Sequence, residues 1–251
     1  MPAVASLLAE PTRAAILDAL MAGGSLPAGE LARRAGVAPS TASEHLSRLL
    51  EGHLVSCEAH GRERRYRLAS HWVAEALEAL ARVAPPEQAH SLRASDSHAA
   101  LRHARTCYDH LAGRVGVALT EALLARQLLL ALDGSYAVTG RGERYLASLG
   151  VDIDRARAAR RSFARACLDW SERRPHLAGS LGAALADALL AEKWLQRRAD
   201  GRALIVTASG EAGLRALGVQ LPPDRRAAPG SRAHLEAPRP GDRRIPTPKE
   251  T

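Results

Sequence analysis

The sequence predicts a mainly α protein with short β-hairpins: a small N-terminal domain of helices and one hairpin, then an α-rich domain of two related helix-helix-strand-helix units. Three observations carry that prediction. Ala, Leu and Arg dominate while aromatic residues make up only 3%, which suits an aliphatic, largely helical core. Apolar residues recur at helical spacing through most of the chain up to Leu221. A block of residues after position 97 occurs twice.

Composition bounds the function classes. At 251 residues and 46% hydrophobic content the chain can bury a sizeable core. Lys plus Arg number 35 against 27 Asp plus Glu, a balance that suits a polyanionic partner, although part of the excess falls in the last thirty or so residues. No apolar run approaches the roughly 20 residues of a membrane span, and no charged segment followed by an apolar stretch opens the chain, so a cytoplasmic location without a membrane partner is expected. Cys57, Cys107 and Cys167 are odd in number, far apart and without a Cys-x-x-Cys pair. Neither a disulfide framework nor a structural zinc site is indicated, and no metal or cofactor is expected.

The first domain is read as residues 1–83. Pro11 to Leu20 places Ile16, Leu17 and Leu20 on one helical face, with proline tolerated in the first turn. Pro27 to Ala35 reads as a second short helix closed by Gly36, and Val37-Ala38-Pro39 as a turn. Ser40 to Leu50 forms the next helix. Its apolar positions Ala42, Leu46, Leu49 and Leu50 leave Ser40, Thr41, Ser43, Glu44, His45, Ser47 and Arg48 facing wholly or partly outward. Short hydroxyls at such a helix start can approach phosphates and base edges closely. After Gly52, Leu54–Glu58 and Arg64–Leu68 alternate as two strands joined by residues 59–63. Basic groups near that tip can follow a DNA backbone beside the groove that the helix fills. The expected DNA-contacting set is Ser40, Thr41, Ser43, Glu44, His45 and Arg48 on the helix, with His60, Arg62 and Arg64 on the hairpin.

Ala84-Pro85-Pro86 stops the last helix of this domain, because proline cannot continue one. Residues 84–96 read as a linker, 97–221 as the duplicated domain, and 222–251, rich in Pro and Arg with few apolar residues, as a disordered tail.

The duplication pairs Arg105-x-Cys107-x-Asp109 with Arg165-x-Cys167-x-Asp169. His110-Leu111-Ala112-Gly113-x-x-Gly116 returns as His176-Leu177-Ala178-Gly179-x-x-Gly182, and Val138-Thr139-x-x-Gly142-Glu143 as Val206-Thr207-x-x-Gly210-Glu211. The offsets grow from 60 to 66 to 68 residues, so the second copy carries an insertion at Trp170 to Pro175 and a longer hairpin. Each threonine is placed to cap the following helix, and each glutamate falls in its first turn. On a helix, Arg105 and Asp109 would pair on the surface, as would Arg165 and Asp169, with the cysteines on the opposite side. Two readings of Cys107 and Cys167 stay open: small buried apolar residues, or sensing thiols. His110 lies three residues from Cys107 but His176 nine from Cys167, which argues against one shared Cys-His ligand geometry and favours capping or polar anchoring by the histidines. A pocket lined by Trp170, Arg173, Arg174 and His176, with Cys107 and His110 opposite and Cys167 beside them, would suit a small-molecule effector, an anion above all.

Leu8-Ala9-Glu10-Pro11-Thr12-Arg13, Gly29-Glu30-Leu31-Ala32, Ser40-Thr41-x-Ser43-x-His45-Leu46, and Gly61-Arg62 followed by Tyr66-Arg67-Leu68 together resemble the ArsR family of winged helix-turn-helix transcriptional regulators. The resemblance covers about 80 residues, roughly a third of the chain. It implies a homodimer formed around Val4–Leu8 and Ser70–Val83, and a repressor released from a double-stranded DNA operator by a signal. Metal sensors of that family often carry a cysteine pair in the helix before the turn, where this chain has Glu30-Leu31-Ala32-Arg33-Arg34, or an Asp-x-His entry on the last dimer helix, where it offers His71, Glu75 and Glu78. A constitutive or architectural DNA binder is the alternative. An enzyme using Cys107 or Cys167 with a histidine ranks last, since no phosphate loop or nucleophile elbow occurs.

Overall fold

The computed structural model describes residues 2–21, 24–61, 63–84, 92–198, 201–219 and 221, with only the backbone of 92–95. The expected tail, 222–251, lies outside the described residues, as do Arg62 and residues 85–91 of the expected linker.

The N-terminal elements are α1 (Pro2–Leu8), α2 (Pro11–Leu20), β1 (Leu26–Pro27), α3 (Ala28–Ala35), α4 (Pro39–Glu51), β2 (Val55–His60), β3 (Glu63–Leu68) and α5 (His71–Val83). Glu10 caps α2, its carboxylate accepting from the backbone N–H groups of Thr12 and Arg13 at 3.0 and 2.8 Å. Arg13, itself buried, donates to the carbonyls of Leu7 and Ser6 and so ties α1 to α2. Gly36 closes α3 at φ 69°, a left-handed conformation that costs glycine nothing. Ile16, Leu17, Leu31, Leu46, Leu49 and Leu68 fill the core beneath these helices. The hairpin is longer than expected: its register runs from Val55 opposite Leu68 to His60 opposite Glu63. A short strand absent from the sequence reading, β1, pairs with β3 through Leu26 opposite Tyr66, giving the order β1-β3-β2.

The remaining elements are α6 (Leu92–His103), β4 (Arg105–Cys107), β5 (His110–Ala112), α7 (Gly113–Ala125), β6 (Leu129–Leu132), β7 (Ser135–Val138), α8 (Gly140–Ser148), α9 (Ile153–Ala158), β8 (Arg165–Leu168), β9 (Pro175–Ala178), α10 (Gly179–Ala191), β10 (Leu195–Arg197), β11 (Leu204–Val206) and α11 (Ala208–Ala216). The order hairpin, helix, hairpin, helix occurs twice, from β4 to α8 and from β8 to α11. This corrects the helix-helix-strand-helix unit. Each Arg-x-Cys stretch is a strand, and in the first copy Tyr108, at φ 63°, turns the chain back so that His110 lies across from Cys107. A pattern this short holds too few residues to separate a strand from one helical turn by periodicity. The hairpin β8-β9 joins β6-β7 in a four-stranded sheet of order β6-β7-β8-β9. Thr139 and Thr207 cap α8 and α11 as expected, each accepting from the backbone N–H of Gly142 or Gly210 at 3.0 Å.

The two copies interlock. α7 packs on β9 and α10 packs on β5, around Leu119, Leu123, Leu181, Leu185 and Leu189. The glycines near each helix start clear the strand that feeds it. A Cβ on Gly116 would stand 2.5 Å from the Leu111 carbonyl oxygen, and one on Gly182 would stand 2.6 Å from that of Leu177. Gly116→Ala and Gly182→Ala are therefore each expected to destabilise the fold by about 1–3 kcal/mol, read as a lowered urea midpoint. The same change at Gly29, where a Cβ meets nothing within 4 Å, serves as the control.

Candidate DNA interface and effector site

The first candidate surface is built on α4. Ala42, Leu46 and Leu49 are buried against α2 and α3, which fixes the helix's rotation and leaves Ser40, Thr41, Ser43, Glu44 and Arg48 exposed on its other side. Ser43 Oγ donates back to the Pro39 carbonyl at 2.9 Å, and Arg48 Nη2 pairs with Glu44 at 2.7 Å, one helical turn away. His45 is half-buried, its Nδ1 3.4 Å from the Glu10 carboxylate that caps α2. On the hairpin, His60 and Arg64 are exposed near the tip, whereas Arg65 is drawn to Ser25 and Glu63, and Arg67 to Glu58.

The second candidate site lies between the copies. Cys107 faces His110 across β4-β5, and Cys167 faces His176 across β8-β9. The copies thus share one cross-strand Cys-His geometry, which corrects the inference drawn from sequence distance. In a hairpin the partner across the ladder is set by register; of the inserted residues, Trp170 to Arg174 lengthen the second turn and Pro175 adds a rung opposite Leu168. All four side chains are buried, and their ligand-type atoms lie within 4.8 Å of one another. The two sulfurs stand 3.9 Å apart, and the imidazole rings stack at 5.1 Å between centroids. Neither histidine caps a helix: the backbone of Ala112 and Ala178 occupies those positions.

The repeated arginines and aspartates do not pair along a helix, and Arg105 instead meets Asp169 of the other copy, which corrects the expected surface pairs. Arg105 Nη2 donates to Asp169 Oδ2 at 2.9 Å, with both side chains fully buried. Arg161 takes the corresponding place beside Asp109 at 2.5 Å, while Arg165 pairs with Glu75 of α5 at 2.7 Å. Each aspartate then faces a histidine: Asp109 Oδ1 lies 3.3 Å from His110 Nδ1, and Asp169 Oδ2 lies 3.7 Å from His176 Nδ1. Sequence reasoning missed these two carboxylates as partners of the histidines. Their signal was present, an acidic residue two positions after each cysteine in both copies.

Electrostatics inside the cluster follow from burial and proximity. The hydrogen bond to Cys167, together with burial, pushes the Cys107 thiol up. That same bond and the facing rings of His110 and His176 bring the Cys167 thiol down. Burial lowers His176. At His110 burial is outweighed by Asp109 and Cys167, and its imidazole is raised.

A cavity of about 760 Å³ opens from this cluster toward α5. Cys107, His110 and Cys167 line one side, Glu75, Glu78 and Arg82 the other. The expected effector lining is otherwise dispersed. Trp170 lies against the Arg105 guanidinium at 4.5 Å, Arg173 donates to the Arg82 carbonyl at 2.9 Å, and Arg174 pairs with Glu121. Arg202 joins the cavity's two sides: its backbone carbonyl accepts from Thr106 N–H at 2.9 Å while its guanidinium reaches Glu78 at 2.5 Å. Among the described residues no helix is long and apolar enough to cross a membrane.

Residues 8–58 match the helix-turn-helix domain family. The HTH-type transcriptional regulator YdfF of Bacillus subtilis (strain 168) is 46% identical over 208 residues, covering 83% of this chain and 92% of that protein. The HTH-type transcriptional regulator CmtR of Mycobacterium tuberculosis is 45% identical over 76 residues, 30% of this chain and 64% of CmtR. Among solved structures, the homodimeric winged helix-turn-helix domain of Mb0332 from Mycobacterium bovis is 28% identical, covers 36% of this chain and 86% of that one, and gives a TM-score of 0.32. The chain belongs to the family of HTH-type transcriptional regulators that includes YdfF.

Proposed function

We propose that the chain is a homodimeric, sequence-specific repressor that reads its operator with α4 and is released by a signal registered in the domain from β4 to α11. The observation that carries this reading is the two-sidedness of α4: three apolar positions locked in the core, and a hydroxyl-rich start left exposed beside an exposed hairpin tip. A helix presented in this way fits the major groove, and arginines on the hairpin fit the flanking phosphates. Ser40, Thr41, Ser43, Glu44, His45 and Arg48 are assigned to the groove, and His60, Arg62 and Arg64 to the backbone. Dimerisation is supported by Val4 on α1 and by Trp72, Leu80 and Val83 on α5, large apolar side chains left exposed that a second copy would cover. Release is supported by the links from α5 into the duplicated domain, Glu78 to Arg202 and Glu75 to Arg165. A shift in the hairpins would reach α5 through them, and through α5 the spacing of the two reading helices.

In footprinting and gel-shift titrations on the chain's own upstream region, Arg64→Ala is expected to weaken operator and random duplex by the same factor. It is also expected to lower the slope of log affinity against log salt by about 1 for each phosphate left without its cation. Thr41→Ala and Ser43→Ala are expected to shift sequence preference with the salt slope unchanged. An Arg64→Ala chain that lost sequence preference while keeping its salt slope would contradict the assignment. Glu78→Ala leaves the buried Arg202 guanidinium with Asp18, 3.4 Å away, as its remaining ion-pair partner and is expected to cost about 1.5–3 kcal/mol in denaturant unfolding. Glu78→Gln, which keeps a hydrogen-bond acceptor, is expected to cost less.

A further inference from the structure

The proposed DNA reading leaves the cluster between the two hairpins without a task. We infer that Cys107, His110, Cys167 and His176 form a closed tetrahedral binding site for a divalent d10 cation of the zinc group. The inference departs from the sequence expectation of no metal, and it stands independently of how the chain reads DNA.

The donor set is the first argument. Two thiolates and two neutral imidazoles are a soft, nitrogen-sulfur set of the kind that holds Zn2+ in four-coordinate sites. Their two negative charges cancel the cation's two positive ones. The loaded centre therefore has no net charge, as a fully buried site requires.

Distance is the second argument. Metal–sulfur bonds of about 2.3 Å in a tetrahedron put two sulfurs about 3.8 Å apart; Cys107 Sγ and Cys167 Sγ are 3.9 Å apart. Nitrogen ligands at about 2.0–2.1 Å need slightly shorter edges, so the widest separation in the cluster, 4.8 Å, closes with side-chain movement of the order of 1 Å.

The third argument is what the histidines lack and what they have. His110 Nε2 and His176 Nε2 are buried without a hydrogen-bond partner, an arrangement that costs about 1–3 kcal/mol per group when nothing else takes the lone pair. The other ring nitrogen of His110, Nδ1, is hydrogen-bonded to Asp109 at 3.3 Å, whereas Nδ1 of His176 stands 3.7 Å from Asp169 and is itself without a hydrogen-bond partner. A carboxylate behind one ring nitrogen fixes the tautomer and turns the other nitrogen into a ligand. Asp109 is a positioning residue in this sense, held in turn by Arg161, and Asp169, paired with Arg105, stands behind His176 without bonding to it.

Entry is through the cavity below α5, where Cys107, His110 and Cys167 are reached first. On binding, two metal–sulfur and two metal–nitrogen bonds form, each thiol still protonated releases its proton to solvent, and no electron is transferred.

The test uses the full-length protein, stripped with chelator under reductant and then titrated with Zn2+ and, as a spectroscopic probe, Co2+. The expected result is one ion per chain, with the intense visible bands of tetrahedral Co2+ and near-ultraviolet thiolate-to-cobalt charge transfer. Cys57→Ser keeps this signal, and the double variant Cys107→Ser, Cys167→Ser abolishes it. Asp109→Asn leaves all four ligands in place and binds about 10–100-fold more weakly. A reduced wild-type chain that takes up no more metal than the double variant, or that gives the weak spectrum of octahedral Co2+, overturns the inference. Because the wild-type titration is itself decisive, a variant that fails to fold does not blur the outcome. No DNA is present, so failure here leaves the DNA reading untouched.

Discussion

The fold of the duplicated domain depends on one buried ion pair, Arg105 with Asp169, in which neither side chain has any solvent exposure. Two charges taken out of water are costly unless they are paired and hydrogen-bonded. Here they largely are. Asp169 also accepts from the Gly113 backbone at 2.7 Å and from the Ser171 backbone and hydroxyl at 2.8 and 2.7 Å. Arg105 donates to the Leu101 carbonyl and to Ser171, and packs against Trp170. Burial alone would raise the Asp169 carboxyl, yet Arg105 and these donors hold it below the usual carboxylate range. The pair joins one copy to the other, fixes the start of α7, and presents Asp169 to His176.

From that constraint the path toward the DNA reader is short. Cys107 and its neighbour Thr106 sit on β4, and Thr106 N–H is held by the carbonyl of Arg202. The side chain of Arg202 reaches Glu78, buried on α5, while Asp18 of α2 lies 3.4 Å from the same guanidinium. Tyr108, at the tip of the same hairpin, packs against the N-terminal core. The hairpin tips, the cavity and α5 therefore form one contact zone. Both hairpins are thus linked, through Arg202 and Arg165, to the helix that carries the exposed Trp72 and Val83.

Much of the N-terminal domain could be read from the sequence because its signals are local. Pro11, Gly36 and the spacing of Ala42, Leu46 and Leu49 each act within one or two turns of helix, and α2, α3 and α4 start and end where those residues dictate. The caps at Thr139 and Thr207 were readable for the same reason. The site between the copies was harder, because its partners are set by strand register and by packing between segments about 60 residues apart. The repeated Arg-x-Cys-x-Asp pattern was visible, but a helical reading of five residues sent Arg105 to Asp109 instead of Asp169. Each stretch is a strand leading into a turn, and the observed registers set His110 and His176 opposite the cysteines across turns of different length. The short strand β1 was missed because Leu26-Pro27 gains its pairing only once β3 is in place.

The most direct measurement is a double-mutant cycle on the pair itself: Arg105→Met, Asp169→Leu and both together, each unfolded in urea with the wild type. If the pair organises the two hairpins, each single change strands a buried charge and costs about 3–5 kcal/mol, while the double change costs far less than their sum. Additive single effects, with no coupling between the two positions, would contradict the account.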